Sequence, residues 1–173
     1  MTAVANTIFT AAQFNTHIRD NLNETAPAKA TTAGSLFVAT GTNAIAERIP
    51  AGQFTAAAET TASTSFVDLA TVGPAVTATT GTKAFVFLRA GMENSGANSA
   101  CHTSFEVSGA TSTAASLNRA ITTAGLAAAS RGRIGAPIFV DNLVAGVNTF
   151  TAKYSVSANT GTFVSRELSV IPL

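Results

Sequence analysis

Thr149-Phe-Thr-Ala-Lys-Tyr-Ser-Val156 switches between apolar and polar side chains at every step. Phe150, Ala152, Tyr154 and Val156 alternate with Thr149, Thr151, Lys153 and Ser155, and a period of two belongs to a half-buried β-strand. Lys83-Ala-Phe-Val-Phe-Leu-Arg89 is apolar on both faces, which predicts a central strand. Working outward, candidate strands cover 54–60, 65–71, 74–80, 83–91, 100–108, 116–122, 133–140, 147–157 and 162–171. In the last of these Val164, Leu168 and Val170 share one face, with Arg166 as the charged exception. The breaks between them carry turn chemistry: Thr80-Gly81, Asn94-Ser-Gly96, Ser108-Gly109, Asp141-Asn142 and Asn159-Thr-Gly161. Turn signals spaced by about 8–12 residues mark an all-β sandwich or barrel. The expected fold is therefore mainly β, an antiparallel sandwich of jelly-roll type over 53–173. The stretch 123–132 fits a short helix or a loop.

The chain has 173 residues, enough for one domain with a small appendage. Ten Lys+Arg stand against nine Asp+Glu, and charged residues make up only 11%, against roughly 25% in an ordinary soluble domain. A near-neutral chain offers no basic face for DNA or RNA. The apolar stretches break well short of the roughly 20 residues a membrane span needs. MTAVANTIFT also lacks the basic start and apolar core of a secretory signal. The expectation is a soluble protein with a polar, uncharged surface and with neither nucleic acid nor membrane as partner. Abundant Thr fits it, because a β-branched hydroxyl keeps an outer sheet face wet without charge.

Residues 1–24 carry a helix signal. Thr10 and Gln13 form a capping-box pair, and Phe9 and Phe14 are placed for a hydrophobic staple. Phe14, Ile18 and Leu22 fall at i, i+4 and i+8 and make one apolar stripe. Asn15, His17, Arg19 and Asp20 form a polar group beside it. A helix of about 13 residues is marginal alone in water, so the stripe is expected to dock on something. Residues 25–34 read as a linker, and 34–52 as a hairpin. Leu36 and Val38 lie on one face of it, Gly41-Thr42-Asn43 forms its turn, and Pro50 and Gly52 end it. The expected organisation is an anchor segment over 1–24, linker and hairpin over 25–52, and the sandwich over 53–173.

Ile8-Phe-Thr-Ala-Ala-Gln-Phe-Asn-Thr-His-Ile-Arg-Asp-Asn-Leu22 resembles a helical segment near the N-terminus of tailed-bacteriophage virion proteins, with Thr10, Asn15, His17, Arg19, Asp20 and Asn21 matching together. Gly34-Ser-Leu-Phe-Val-Ala-Thr-Gly-Thr-Asn-Ala-Ile-Ala-Glu-Arg-Ile-Pro50 is similar to a second element of phage fibre and decoration proteins. It departs from that element where Ser35 replaces the usual acidic residue and Glu47 precedes the arginine. The resemblance covers about a third of the chain. It implies a structural component of the virion, often a homotrimer, whose N-terminal segment attaches to the major capsid protein or another virion protein. The β domain would face outward from the particle surface. The residues expected to dock are Phe9, Phe14, Asn15, His17, Ile18, Arg19, Asp20, Leu22, Leu36 and Val38. With no shaft repeats, a capsid decoration or head-fibre subunit is the expected role. The rival is a tail-fibre component binding host-surface glycan.

Chemistry is sparse. Cys101 and His102 are neighbours on a predicted strand and so point to opposite faces, which rules out a nucleophile–base pair. Zinc held by His17, His102 and Cys101 would lack a fourth protein ligand. Asp68, Glu93, Glu106, Asp141 and Glu167 are scattered singly, and no Gly-rich phosphate cradle occurs. The expectation is a non-enzyme without cofactor or metal. A stacking site for sugar is also poorly supplied: there is no Trp, Tyr154 lies in a core-facing pattern, and alternation puts most of the 11 Phe in the core. Arg131-Gly-Arg133 reads as a loop decoration or as a partner for a neighbouring subunit's acid.

Overall fold

The computed structural model describes residues 8, 10–23, 25 and 29–173. The chain divides into two compact units, Met1–Arg48 and Ile49–Leu173.

In the first unit the helical pattern closes as α1 (Ala11–Phe14), a π-helical turn (Asn15–Arg19) and α2 (Asp20–Asn23). The capping box is made: Gln13 N–H donates to Thr10 Oγ1 (3.2 Å), and Thr10 N–H donates to Gln13 Oε1 (3.0 Å). Its staple partner Phe9 lies outside the described residues. The π-turn appears as an i→i+5 bond, from Asp20 N–H to the Asn15 carbonyl. The hairpin follows as antiparallel β1 (Leu36–Gly41) and β2 (Ala44–Arg48), with Phe37 opposite Glu47 and Val38 opposite Ala46. Asn43 takes the left-handed φ of 55° that the tight turn requires and that Asn tolerates.

The second unit holds β3 (Ala51–Thr55), β4 (Glu59–Thr61), β5 (Ala75–Thr80), β6 (Ala84–Asn94), β7 (Cys101–Gly109), β8 (Ile121–Thr123), β9 (Arg131–Val140), β10 (Gly146–Val156) and β11 (Gly161–Pro172). One sheet runs β5-β10-β7-β8 and the other β3-β11-β6-β9, with β4 added to β11. The pairs β7–β8, β6–β9, β5–β10 and β3–β11 are antiparallel and nested inside one another. Two further pairings, β6–β11 and β7–β10, join those rungs sideways. This is one long hairpin folded over on itself, the winding of a jelly roll.

Alternation decides which residues lie between the sheets. Val76 and Ala78, then Ala84, Val86, Leu88, Ala90 and Met92, and Phe105, Val107, Phe150, Ala152, Tyr154, Val156, Phe163, Leu168 and Val170 are all buried. Each large apolar side chain so placed contributes roughly 1.5–3 kcal/mol. Asn148 shares that inner face and is fully bonded: its amide donates to Thr80 Oγ1 (2.8 Å) and the Val144 carbonyl (3.0 Å), while its Oδ1 accepts from Thr111 N–H (2.7 Å).

Four expectations need correction. The 54–60 strand is two pieces, β3 and β4, separated by 56–58. The 65–71 stretch is a strap held to β10 by one isolated backbone bridge, Val67 to Tyr154, and by the Asp68–Lys153 ion pair. The 116–122 stretch is a 3-10 turn (Leu117–Arg119) followed by three-residue β8. Val164 does not share a face with Leu168 and Val170. A bulge between Val164 and Glu167, with Ser165 at φ 49°, inserts one residue, so Val164 pairs outward with Gly91 while Arg166 turns into the core. The 123–132 stretch resolves as a loop over 124–130, with Thr123 ending β8 and Arg131 opening β9.

Candidate functional site

The helix leaves Phe14, Ile18 and Leu22 exposed, and His17, Arg19 and Asp20 exposed with them. Arg19 pairs with Asp20 (2.8 Å) and Asn15 is half-buried. On the hairpin Leu36 is exposed and Val38 half-buried. Phe9 completes the expected docking set from outside the described residues.

One carboxylate organises the start of the hairpin. Glu47 accepts from Thr31 N–H (3.0 Å), Thr32 N–H (2.8 Å) and the Ser35 hydroxyl (2.6 Å), and from the Thr31 hydroxyl as well. The Ser35 and Thr31 hydroxyls, followed by the backbone donors, hold the Glu47 carboxyl down at about 2. The two departures from the phage-like element, Ser35 and Glu47, are thus bonded to each other.

In the sandwich Cys101 and His102 do part to opposite sides. The thiol is fully buried, against the Glu93 carbonyl (3.2 Å), and burial pushes its pKa up. His102 is half-buried on the outer face, its Nδ1 2.9 Å from Thr122 Oγ1, and desolvation lowers its pKa. Four of the five scattered acids pair with bases of the same chain: Asp68 and Glu106 with Lys153 (2.7 and 3.0 Å), Glu93 with Arg131 (3.1 Å), Glu167 with Arg89. Arg131-Gly-Arg133 therefore opens β9 rather than decorating a loop, and Arg131 takes an acid from its own chain. Outside the β5-β10 pair the Thr surface is present, with Thr77 and Thr149 hydroxyls 2.8 Å apart.

Alternation half-revealed two features, a buried ion pair at Arg166 and an uncovered apolar sheet face. Arg166 is fully buried, its Nη1 3.4 Å from the Thr71 carbonyl and 3.3 Å from that of Gly73, its Nη2 3.2 Å from Glu59 Oε2, and its guanidinium 5.3 Å from the Tyr154 ring centre. Nη2 is within ion-pair distance of Glu59 but misaligned for a hydrogen bond, and Nε has no partner. The second feature overturns the expectation that the phenylalanines are mostly core. Of the ten described, only Phe105, Phe150 and Phe163 are buried. Phe54, Phe85, Phe87 and Phe139 stand on the outer face of the β3-β11-β6-β9 sheet, 53, 37, 39 and 50% exposed. Alternation gives both faces of β6 as apolar but does not say that one of them stays uncovered.

The fold is a jelly-roll β-sandwich joined to a small N-terminal unit. No family model and no curated protein matches the sequence. Two virus structures match part of the chain. One is the VP2 subviral particle of infectious bursal disease virus, with a TM-score of 0.47 and 11% identity, covering 77% of this chain and 36% of that one. The other is the Gx strain of the same virus, with a TM-score of 0.45 and 13% identity, covering 77% and 35%. The chain spans about a third of the length of each.

Proposed function

We propose that the protein is a non-enzymatic structural subunit of a tailed-phage particle, a capsid decoration or head-fibre protein held by its N-terminal unit and presenting the jelly roll outward. The observation that carries this reading is the capped helix whose apolar side chains Phe14, Ile18 and Leu22 remain exposed on a unit separate from the sandwich. An exposed stripe on so short a helix gains its stability from a surface it covers. The likeness of 8–22 and 34–50 to phage segments supports a virion protein as that surface, with homotrimerisation accompanying attachment. Asn15, His17, Arg19 and Asp20 would supply the polar rim around the buried stripe.

The test is the double change Phe14→Asp, Ile18→Asp in the full chain, followed by co-sedimentation with particles. Loss of particle association with the sandwich still folded is expected; retained association refutes the anchor. Gold-labelled antibody to residues 53–173 then distinguishes label over the head, as proposed, from label at the tail. Tail label, together with binding of the purified chain to host-wall glycan, would replace decoration by receptor binding.

A further inference from the structure

Three cross-strand rows lie one behind another on the outer face of the β3-β11-β6-β9 sheet: Ile171–Phe85–Phe139, Ser169–Phe87–Pro137 and Glu167–Arg89–Gly135. In the first row the Phe85 and Phe139 rings touch, centroids 5.1 Å apart. In the third, Gly135 offers no side chain, and the sheet opens into a depression of about 280 Å³ lined by Phe87, Arg89, Gly135, Pro137 and Glu167. A void of roughly 150 Å³ already accommodates benzene, so a phenyl ring fits. The projecting rings and the hollow are on one face, at equal distances on either side of the middle row.

We propose that this face is a self-complementary contact surface for a second copy of the chain. A two-fold axis lying in the interface along the Ser169–Phe87–Pro137 row brings the first row of each copy over the third row of the other. Phe139 then enters the hollow over the partner's Gly135, and Phe85 lies over the partner's Arg89 as a cation–π pair. Arg89 keeps its own Glu167, so no charge is buried unpaired. Arg89 and Glu167 offset one another within the three rows, so these rows carry no net charge to steer a strongly charged partner. The four exposed rings present about 350 Å², in the range of the largest patch on an ordinary monomer and commonly a binding site. Four strands at about 4.8 Å and the five residues of the three rows at about 3.3 Å give a footprint of roughly 320 Å² per copy. That is the small-interface class, so the association is reversible. All the residues of the contact belong to the second unit, and the proposal stands independently of particle attachment.

The experiment uses the full chain carrying Pro137→Cys, a position on the proposed axis, treated with a short bis-maleimide. Buried Cys101 does not compete. Cross-linked dimer is expected from Pro137→Cys and not from Thr79→Cys, which sits on the outer face of the other sheet. Phe139→Asp should weaken association on the order of a hundredfold. The Phe14→Asp, Ile18→Asp chain should cross-link like the parent. Equal yields at 79 and 137, no dimer at 137, or a dimer indifferent to Phe139→Asp overturns the proposal.

Discussion

Replacing Glu59 by glutamine keeps the shape of the side chain and removes the anion paired with the buried Arg166. That guanidinium is 0% exposed, while the Glu59 side chain is 15% exposed. The Glu59 carboxylate also accepts twice from Thr71 N–H (3.1 and 3.0 Å), so the pair fastens the strap between β4 and β5 to the bulge of β11. Breaking a buried pair from one side costs about 3–5 kcal/mol, because the surviving charge is left in the core. Glu59→Gln strands the less hydrated member, so its cost belongs near the upper end. Arg166→Met strands a carboxylate that still touches water and belongs near the lower end. With an m-value of about 2 kcal/mol per molar urea, Glu59→Gln lowers the midpoint by roughly 2 M. The double change Arg166→Met, Glu59→Gln leaves no unpaired charge and should unfold later than Glu59→Gln alone. The assay is urea unfolding of the four proteins with unchanged slopes. A loss under about 1 kcal/mol for Glu59→Gln, or strict additivity in the double mutant, refutes the argument that a buried ion pair holds the strap.

Three further outcomes are expected. The Glu47 carboxyl has a folded pKa below its unfolded value, so its contribution is complete above about pH 4.5 and is lost as pH falls towards about 2. The Thr31 and Thr32 amide resonances should follow that lower midpoint, and titration near 4.5 would show the clip is not formed. Tyr154 is the single tyrosine, and burial raises its pKa well above the ordinary 10 although Arg166 opposes that. Stability should fall as pH rises past 10, where only the unfolded chain ionises, and ultraviolet titration should detect phenolate only on unfolding. Cys101, buried and with a raised pKa, should resist an aromatic disulfide reagent until the chain unfolds; fast native reaction would contradict its placement.

Much of the jelly roll was legible because β6 and β10 are long and regular: their alternation identifies the core residues, Tyr154 included. Strand order was not legible, since nested pairing joins segments as distant as β3 and β11 and no local pattern encodes it. The charged residue on the inner face of β11 could be seen, but its partner Glu59 belongs to a different strand and carries no local mark. The bulge was invisible because its left-handed residue is Ser165, not glycine. The strap over 65–71 alternates like a strand, yet β5 already occupies that edge of β10 as far as Thr151, and Val67 reaches only the tail beyond it. At the candidate attachment site the sequence supplied the cap and the stripe. It could not show that Ser35 and Glu47, two separate departures from the phage-like element, answer one another across the hairpin.

The nested winding also fixes how the sandwich bears force. Ala51 pairs with Val170, so the chain comes in and leaves at the same end of a single rung. The loops after β6 and β10 lie at the opposite end, tied by Ser95 N–H to the Thr160 carbonyl (2.9 Å) and by Asn159 to Ser99 (2.8 Å). A pull between residues 51 and 172 peels β3 from β11 one hydrogen bond at a time. A pull between residue 51 and the far loops loads the same bonds together, in shear. A subunit tethered through its N-terminal side and touched at those loops is strained along the direction in which the jelly roll resists best.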